Sequence, residues 1–279
     1  MSEPKNPLPW ASSRDENAPK IDTSIPHSAR VYDYWLGGKD NFEADRKVAE
    51  ATAAAAPGVV QGARDNRAFL GRAVQFLAEQ GISQFLDIGT GIPTQGNTHE
   101  VAQRINPAAR IAYVDNDPIV MTHARALLRS SREGKTTYVE ADLRDPKTLL
   151  EHPEIGRVID FDQPLGLIII GTLMFIKDEE DPLGLVRQYT EALAPGSYFA
   201  CSHVTADFFP KVIEGAVNAY NSDALGFTPR TKAQISEYFE GFDIVEPGIV
   251  AVSQWRPDED PSQAPERADG AYGVVGRKS

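Results

Sequence analysis

Three short apolar runs lead into an acidic residue at a nearly constant interval: Phe85-Leu86-Asp87, Tyr113-Val114-Asp115, and Val139-Glu140-Ala141-Asp142. The aspartates are 28 and 27 residues apart. One βαβ step of a parallel sheet takes roughly 30 residues. The interval therefore predicts three neighbouring parallel strands with acids at their carboxyl ends. The turn Gly89-Thr90-Gly91 follows the first of them. Open α/β sheets bind ligands at that edge.

The rest of the chain supports an alternation of strands and helices. Apolar residues at Ala63, Phe69, Leu70, Ala73, Val74 and Leu77 follow the helical period and predict a helix from Val60 to Gln80. An alanine-rich helix from Ala44 to Ala56 precedes it and stops at Pro57-Gly58. Strands are expected at Gln84–Ile88, Arg110–Val114, Thr136–Glu140, Gly166–Gly171 and Ser197–His203. Helices are expected at Thr98–Ile105, Pro118–Ser130, Pro146–Leu150, Asp181–Leu193 and Thr231–Phe239. Phe242–Val245 and Gly248–Gln254 read as a closing hairpin. Ala271–Val275 is either a last strand or a loose end. Residues 1–22 read as a mobile tail, 23–80 as a cap with its helices, 81–258 as the core, and 259–279 as an acidic loop with a C-terminal segment. Cap and core are expected to form one domain. The segment from Ser24 to Asp45 carries Tyr32, Tyr34, Trp35 and Phe42 around Gly37-Gly38. Such an aromatic stretch should pack on something, and the ligand mouth is the natural place.

Composition narrows the partners. With 28 basic and 40 acidic residues the net charge is −12, a poor match for a phosphate backbone. The longest apolar run, residues 165–176, is too short to span a bilayer. Residues 1–20 are polar and proline-rich, so no secretory segment is read there and a cytoplasmic protein is expected. The single cysteine, Cys201, lies in an apolar run and reads as a small buried hydrophobe. No histidine pair has zinc-ligand spacing, and the acidic run Asp178-Glu179-Glu180-Asp181 reads as solvated. No metal is expected.

The chemistry of the acidic corners points to a nucleoside-bearing cofactor. A Gly-x-Gly turn lets the backbone approach a ligand and take positive φ, so Gly89, Thr90 and Gly91 would receive the cofactor's amino-acid part. Asp115 stands 24 residues past Gly91, where an acid commonly accepts bonds from ribose hydroxyls. Asp142 would accept from an adenine amino group, with the Leu143 amide facing a ring nitrogen. Asp117 is the better helix cap, because Pro118 follows it. A dinucleotide fingerprint would carry a third glycine where Thr94 stands, and an apolar residue in place of Asp87. Both departures favour S-adenosylmethionine (SAM) over NAD. An NAD oxidoreductase and a non-catalytic SAM-sensing module are the alternatives.

The chain resembles the class I SAM-dependent methyltransferases. More narrowly it is similar to an actinobacterial S-adenosyl methyltransferase family, formerly a domain of unknown function. The resemblance rests on the strings from Ala29-Arg30-Val31-Tyr32 to Lys39-Asp40-Asn41-Phe42, from Gln84 to Thr94, from Tyr113 to Pro118, and on Gly241-Phe242, Val245-Glu246-Pro247-Gly248 and Trp255-Arg256-Pro257. It implies an α/β fold: a Rossmann-like seven-stranded methyltransferase sheet flanked by helices, with an N-terminal helical and aromatic cap. It implies SAM and leaves the acceptor undefined. By that resemblance Asp87, Gly89 and Gly91 contact the methionine part, Asp115 and Asn116 the ribose region, Asp142 and Leu143 the adenine, and Gly171 and Thr172 border the sulfonium.

Methyl transfer needs alignment and desolvation above all, and a base for some acceptors. His203 and His99 are candidates for that base, each balanced by a structural alternative. Tyr32, Tyr34 and Trp35 form either a lid whose ring faces attract a cation or simple packing. Arg30 is read as meeting the cofactor's carboxylate or a surface acid. Arg64 and Arg67 either hold the aromatic segment or face solvent. His27, His123 and His152 look peripheral. No Asn-Pro-Pro-Tyr or Asp-Pro-Pro-Tyr string occurs, which argues against a nucleic-acid amino methyltransferase. A small-molecule acceptor is expected, with Phe208 and Phe209 suggesting an apolar wall.

Overall fold

The computed structural model describes residues 22–127, 130–221, 225–257 and 270–279. Its elements are α1 (Ser28–Trp35), α2 (Glu43–Ala55), α3 (Val59–Glu79), β1 (Gln84–Ile88), α4 (Thr98–Ile105), β2 (Arg110–Asp115), α5 (Pro118–Leu127), β3 (Lys135–Glu140), α6 (Pro146–Leu150), α7 (Pro153–Gly156), β4 (Gly166–Ile170), α8 (Pro182–Glu191), β5 (Tyr198–Val204), α9 (Pro210–Asn221), α10 (Lys232–Glu237), β6 (Phe242–Ile244), β7 (Val250–Ala251) and β8 (Ala271–Lys278). The expected tail lies outside the described residues but for its last position. So do the end of the helix predicted to reach Ser130, apart from Ser130 itself, and most of the acidic loop.

The sheet runs β3-β2-β1-β4-β5-β8-β6, with the two-residue β7 paired to β8. The strands β1 to β5 are parallel, and β8 runs antiparallel between β5 and β6. The expected closing hairpin does not form. Residues 242–244 and 250–251 each pair with β8 instead of with one another. The core sheet therefore does not end near residue 258, because its antiparallel strand comes from the C-terminal segment. That strand was hard to read, since its partners lie far away in sequence and its glycines weaken a strand pattern.

Strand side chains alternate between two cores, as the period of two requires. Leu86, Ile88, Leu167, Ile169, Phe199 and Val274 face one way, toward α8 and α10. Phe85, Ile111, Ile168, Ala200 and Val275 face the other, against Phe69, Val74 and Leu77 of α3. Trp255 is fully buried there, edge-on to Phe69 and Phe76. Arg72 donates to the carbonyls of Val252 and Trp255 at 2.7 and 2.8 Å. The Trp255-Arg256 string is thus a latch holding the C-terminal region on α3.

A third core joins α1, α2 and α9 through Val31, Val48, Ala49, Ala216, Tyr220 and Phe227. The helix α9 was not foreseen. It completes the cap from a point almost two hundred residues beyond α1. Among the described residues no helix is long and apolar enough to cross a membrane.

Candidate cofactor and acceptor site

The chain order turns back between β1 and β4: β2 lies on one side of β1, and β4 on the other. Such a reversal opens a crevice at the carboxyl ends of the strands. A cavity of about 680 Å³ lies there. Asp87, Gly89, Thr90, Gly91, Asp115, Asn116, Asp142, Leu143, Gly171 and Thr172 all line it. Local chemistry fixes the corners. Gly89 and Gly91 have φ of +73° and +68°. A Cβ on Gly89 would strike Thr172, whereas one on Gly91 would meet nothing within 4 Å. The turn is therefore packed behind and open in front. Asp115 accepts from the amides of Gly91 at 2.8 Å and Asp117 at 2.9 Å, which ties the second corner to the first. Asp142 accepts from the Arg144 amide at 2.8 Å.

Burial governs the electrostatics. Desolvation pushes the Asp87 carboxyl up to about 6, against the Thr98 hydroxyl bond and the charge of Arg67. It also pushes Asp115 up, opposed by the two amides and by His27. Two buried carboxylates beside one cavity favour a cationic or hydroxyl-bearing ligand, since each is short of compensation.

Arg30 does not line the cavity. It is 5% exposed, with Nε 3.2 Å from Asp117 and Nη1 3.6 Å from Asp45. Asp45 also accepts from the amides of His27 and Phe42. Arg30 therefore clamps the cap onto the β2–α5 corner. His203 is fully buried off the cavity. Its Nδ1 lies 2.8 Å from the Val204 carbonyl and its Nε2 3.1 Å from Arg230, so Nε2 accepts and Nδ1 donates. Burial drives its pKa down to about 4, leaving a neutral ring without a free lone pair. His99 also stays off the cavity, with Nδ1 2.8 Å from the Tyr113 hydroxyl. Neither histidine is placed to serve as a base. Tyr32 does line the cavity.

Several lining residues carry no cofactor or acceptor role in the sequence reading. Arg67 and Asn66 line the cavity from α3. Arg67 donates to Asn97 Oδ1 at 2.9 Å, and its Nε is buried without a partner among the described residues. The signal was the helical period: positions 66 and 67 fall between Ala63 and Leu70 on the apolar stripe. His27, read as peripheral, also lines the cavity, with Nδ1 3.1 Å from Asp117. The helix α9 adds a wall that includes Val212, Ile213, Ala216 and Tyr220.

A family model described as S-adenosyl methyltransferase matches residues 14–279. The chain belongs to the S-adenosyl methyltransferase family. A DUF574 family protein from Streptomyces avermitilis is 45% identical, with a TM-score of 0.90 over 93% of this chain and 100% of that one. A candidate methyltransferase from Thermobifida fusca is 43% identical, with a TM-score of 0.85 over 92% and 97%. The plantazolicin methyltransferase solved with SAH is 14% identical, with a TM-score of 0.51 over 90% and 95%, a likeness of fold. A search of curated proteins finds no match. This S-adenosyl methyltransferase is thus a SAM-dependent enzyme, and the dinucleotide alternative falls. The residues present fit the cofactor: an open glycine cradle, paired acid corners, and an orphaned guanidinium nitrogen of Arg67.

Proposed function

We propose that the protein transfers a methyl group from SAM to a small-molecule acceptor bound in the same cavity. One observation carries this reading: the acidic corners and the glycine turn line a single cavity whose opposite wall is apolar. The Gly89-Thr90-Gly91 turn and Asp87 would hold the amino-acid end, with Arg67 toward its carboxylate. Asp115 and Asn116 would take the ribose, Asp142 and the Leu143 amide the adenine, and Gly171 and Thr172 would border the sulfonium. When bound, SAM supplies a methyl group already activated by a positive sulfur. The chain's own task is to exclude water and align the acceptor. The cap does the first, clamped by Arg30 to Asp117. The apolar wall favours a catalytic enzyme over a sensing module, which needs no second compartment.

Calorimetry with SAM, SAH and NAD tests the cofactor assignment. SAM and SAH should bind and NAD should not. Asp115→Asn should weaken SAM by about 2–4 kcal/mol, roughly 30- to 1000-fold. Incubation of methyl-labelled SAM with a host metabolite extract tests transfer, and label retained only on the cofactor and its breakdown products would refute it.

A further inference from the structure

We infer that the acceptor is an uncharged, ring-bearing apolar molecule, held through one hydroxyl or amino group by the Tyr32–Asn66 pair. This rests on the reading that the acidic edge of the cavity holds SAM, and it names what the other half holds.

Charge is segregated within the cavity. Among the described lining residues the charged side chains are Arg67, Asp87, Asp115, Asp142 and Arg144, with His27 the remaining imidazole. None comes from α1, α2, α9 or residues 225–227. A charged acceptor placed against that wall would lose its hydration without gaining a counter-ion.

The wall is also aromatic. Tyr220 stands 6.2 Å from Trp35, 6.1 Å from Phe175 and 5.3 Å from Phe227, ring centre to ring centre. Offset and edge-on faces of this kind receive a further ring. At the lining of the same cavity Phe209 and Val212 are 42% and 41% exposed. Large apolar side chains left half in water beside a cavity make an apolar entrance.

Polar chemistry near the apolar half is sparse and uncharged. The Tyr32 hydroxyl donates to the Ala63 carbonyl at 2.8 Å and accepts from Asn66 Nδ2 at 3.1 Å. Asn66 Oδ1 accepts from the Ser202 hydroxyl at 2.5 Å. These bonds fix both groups, yet leave one lone pair on Tyr32 and one N–H on Asn66. Burial raises the Tyr32 phenol's pKa, so it stays protonated. A Cβ on Gly171 would lie 3.1 Å from Asn66 Nδ2. The pair therefore abuts the end of β4, where the reacting end of the cofactor is placed. It orients an acceptor by hydrogen bonding and takes no proton from it.

The test uses the full chain saturated with SAH, titrated calorimetrically with 2-naphthol, naphthalene and 2-naphthoate. We expect 2-naphthol to bind at least about tenfold more tightly than 2-naphthoate, a difference of about 1.4 kcal/mol. Val212→Glu, at the exposed rim, should weaken 2-naphthol about tenfold and leave SAH affinity unchanged. Tyr32→Phe should reduce the preference for 2-naphthol over naphthalene, and Tyr32→Phe combined with Asn66→Ala should abolish it. Binding of SAH together with equal affinity for naphthol and naphthoate overturns the inference alone. So does a Tyr32→Phe protein that keeps the preference undiminished. Failure of SAH itself to bind overturns the cofactor reading beneath it.

Discussion

Asp87 should make the ligand-free protein less stable above pH 6 than a neutral residue would. The side chain is 4% exposed. Burial raises its pKa from 3.8 to about 6, and the charge of Asp115 pushes the same way. The Thr98 hydroxyl, donating at 2.6 Å, and Arg67 oppose the rise. Between those two values the folded carboxyl keeps a proton that the unfolded one has lost. The folded state then binds more protons, so stability falls as pH rises through this window and levels off above about 6. A difference of about two pH units amounts to about 3 kcal/mol. Asp87→Asn cannot ionise, and its amide oxygen can still accept from Thr98. The variant should match the wild type near pH 4 and exceed it at pH 8 by about 1–3 kcal/mol. Urea denaturation of both proteins across that range, without ligand, measures the difference. Asp115 and Asp33, whose carboxyls burial also raises, are common to both proteins and largely cancel. A gap that does not change with pH, or an Asn variant less stable at pH 8, would refute the reasoning. In the proposed site the cofactor's ammonium supplies what the carboxylate lacks, so SAM should stabilise the wild type more than the variant at pH 8.

Other residues give independent tests. Arg67→Met should weaken SAM about 10- to 100-fold while leaving adenosine, which has no carboxylate, within about twofold; equal losses in calorimetry would reject the assignment. Arg230 is 3% exposed, donates to Asp178 at 2.7 Å and to the Ile176 carbonyl at 2.9 Å, and faces His203. Arg230→Met strands the buried Ile176 carbonyl and His203, while the exposed Asp178 returns to water, and should cost about 2–4 kcal/mol in urea denaturation; a loss under about 1 kcal/mol would contradict its role as a tie. Cys201 is fully buried and its thiol is pushed well above the ordinary range. It should resist a disulfide reagent in the folded protein and react once per chain in urea; fast reaction in buffer would show that the strand opens.

Much of the fold could be read from the letters because it is local. Parallel strands buried on both faces read as short apolar runs, and Gln84–Ile88 and Gly166–Ile170 are of that kind. Caps spell out helix starts, as Asn97 with Glu100 does for α4. The acidic corners stood out because an acid ending an apolar run contradicts the pattern around it. The C-terminal strand was less legible, since pairing with β5 and β6 is decided by distant partners. The helix α9 lacked a flag of its own: its apolar face gains meaning only against Val48 and Ala49 of α2.

The sequence alone determined the three neighbouring parallel strands at 84–88, 110–115 and 135–140 and the acids at their tips, because both follow from spacing along one chain. Tertiary structure alone decided which polar groups meet the ligand. Arg30 and Arg67 look equally available as letters. Packing turns the first toward Asp117 and Asp45, off the cavity, and leaves the second lining it. The same holds for His203 and Tyr32, since a hydrogen-bonding group can serve chemistry only where the fold has not already satisfied it.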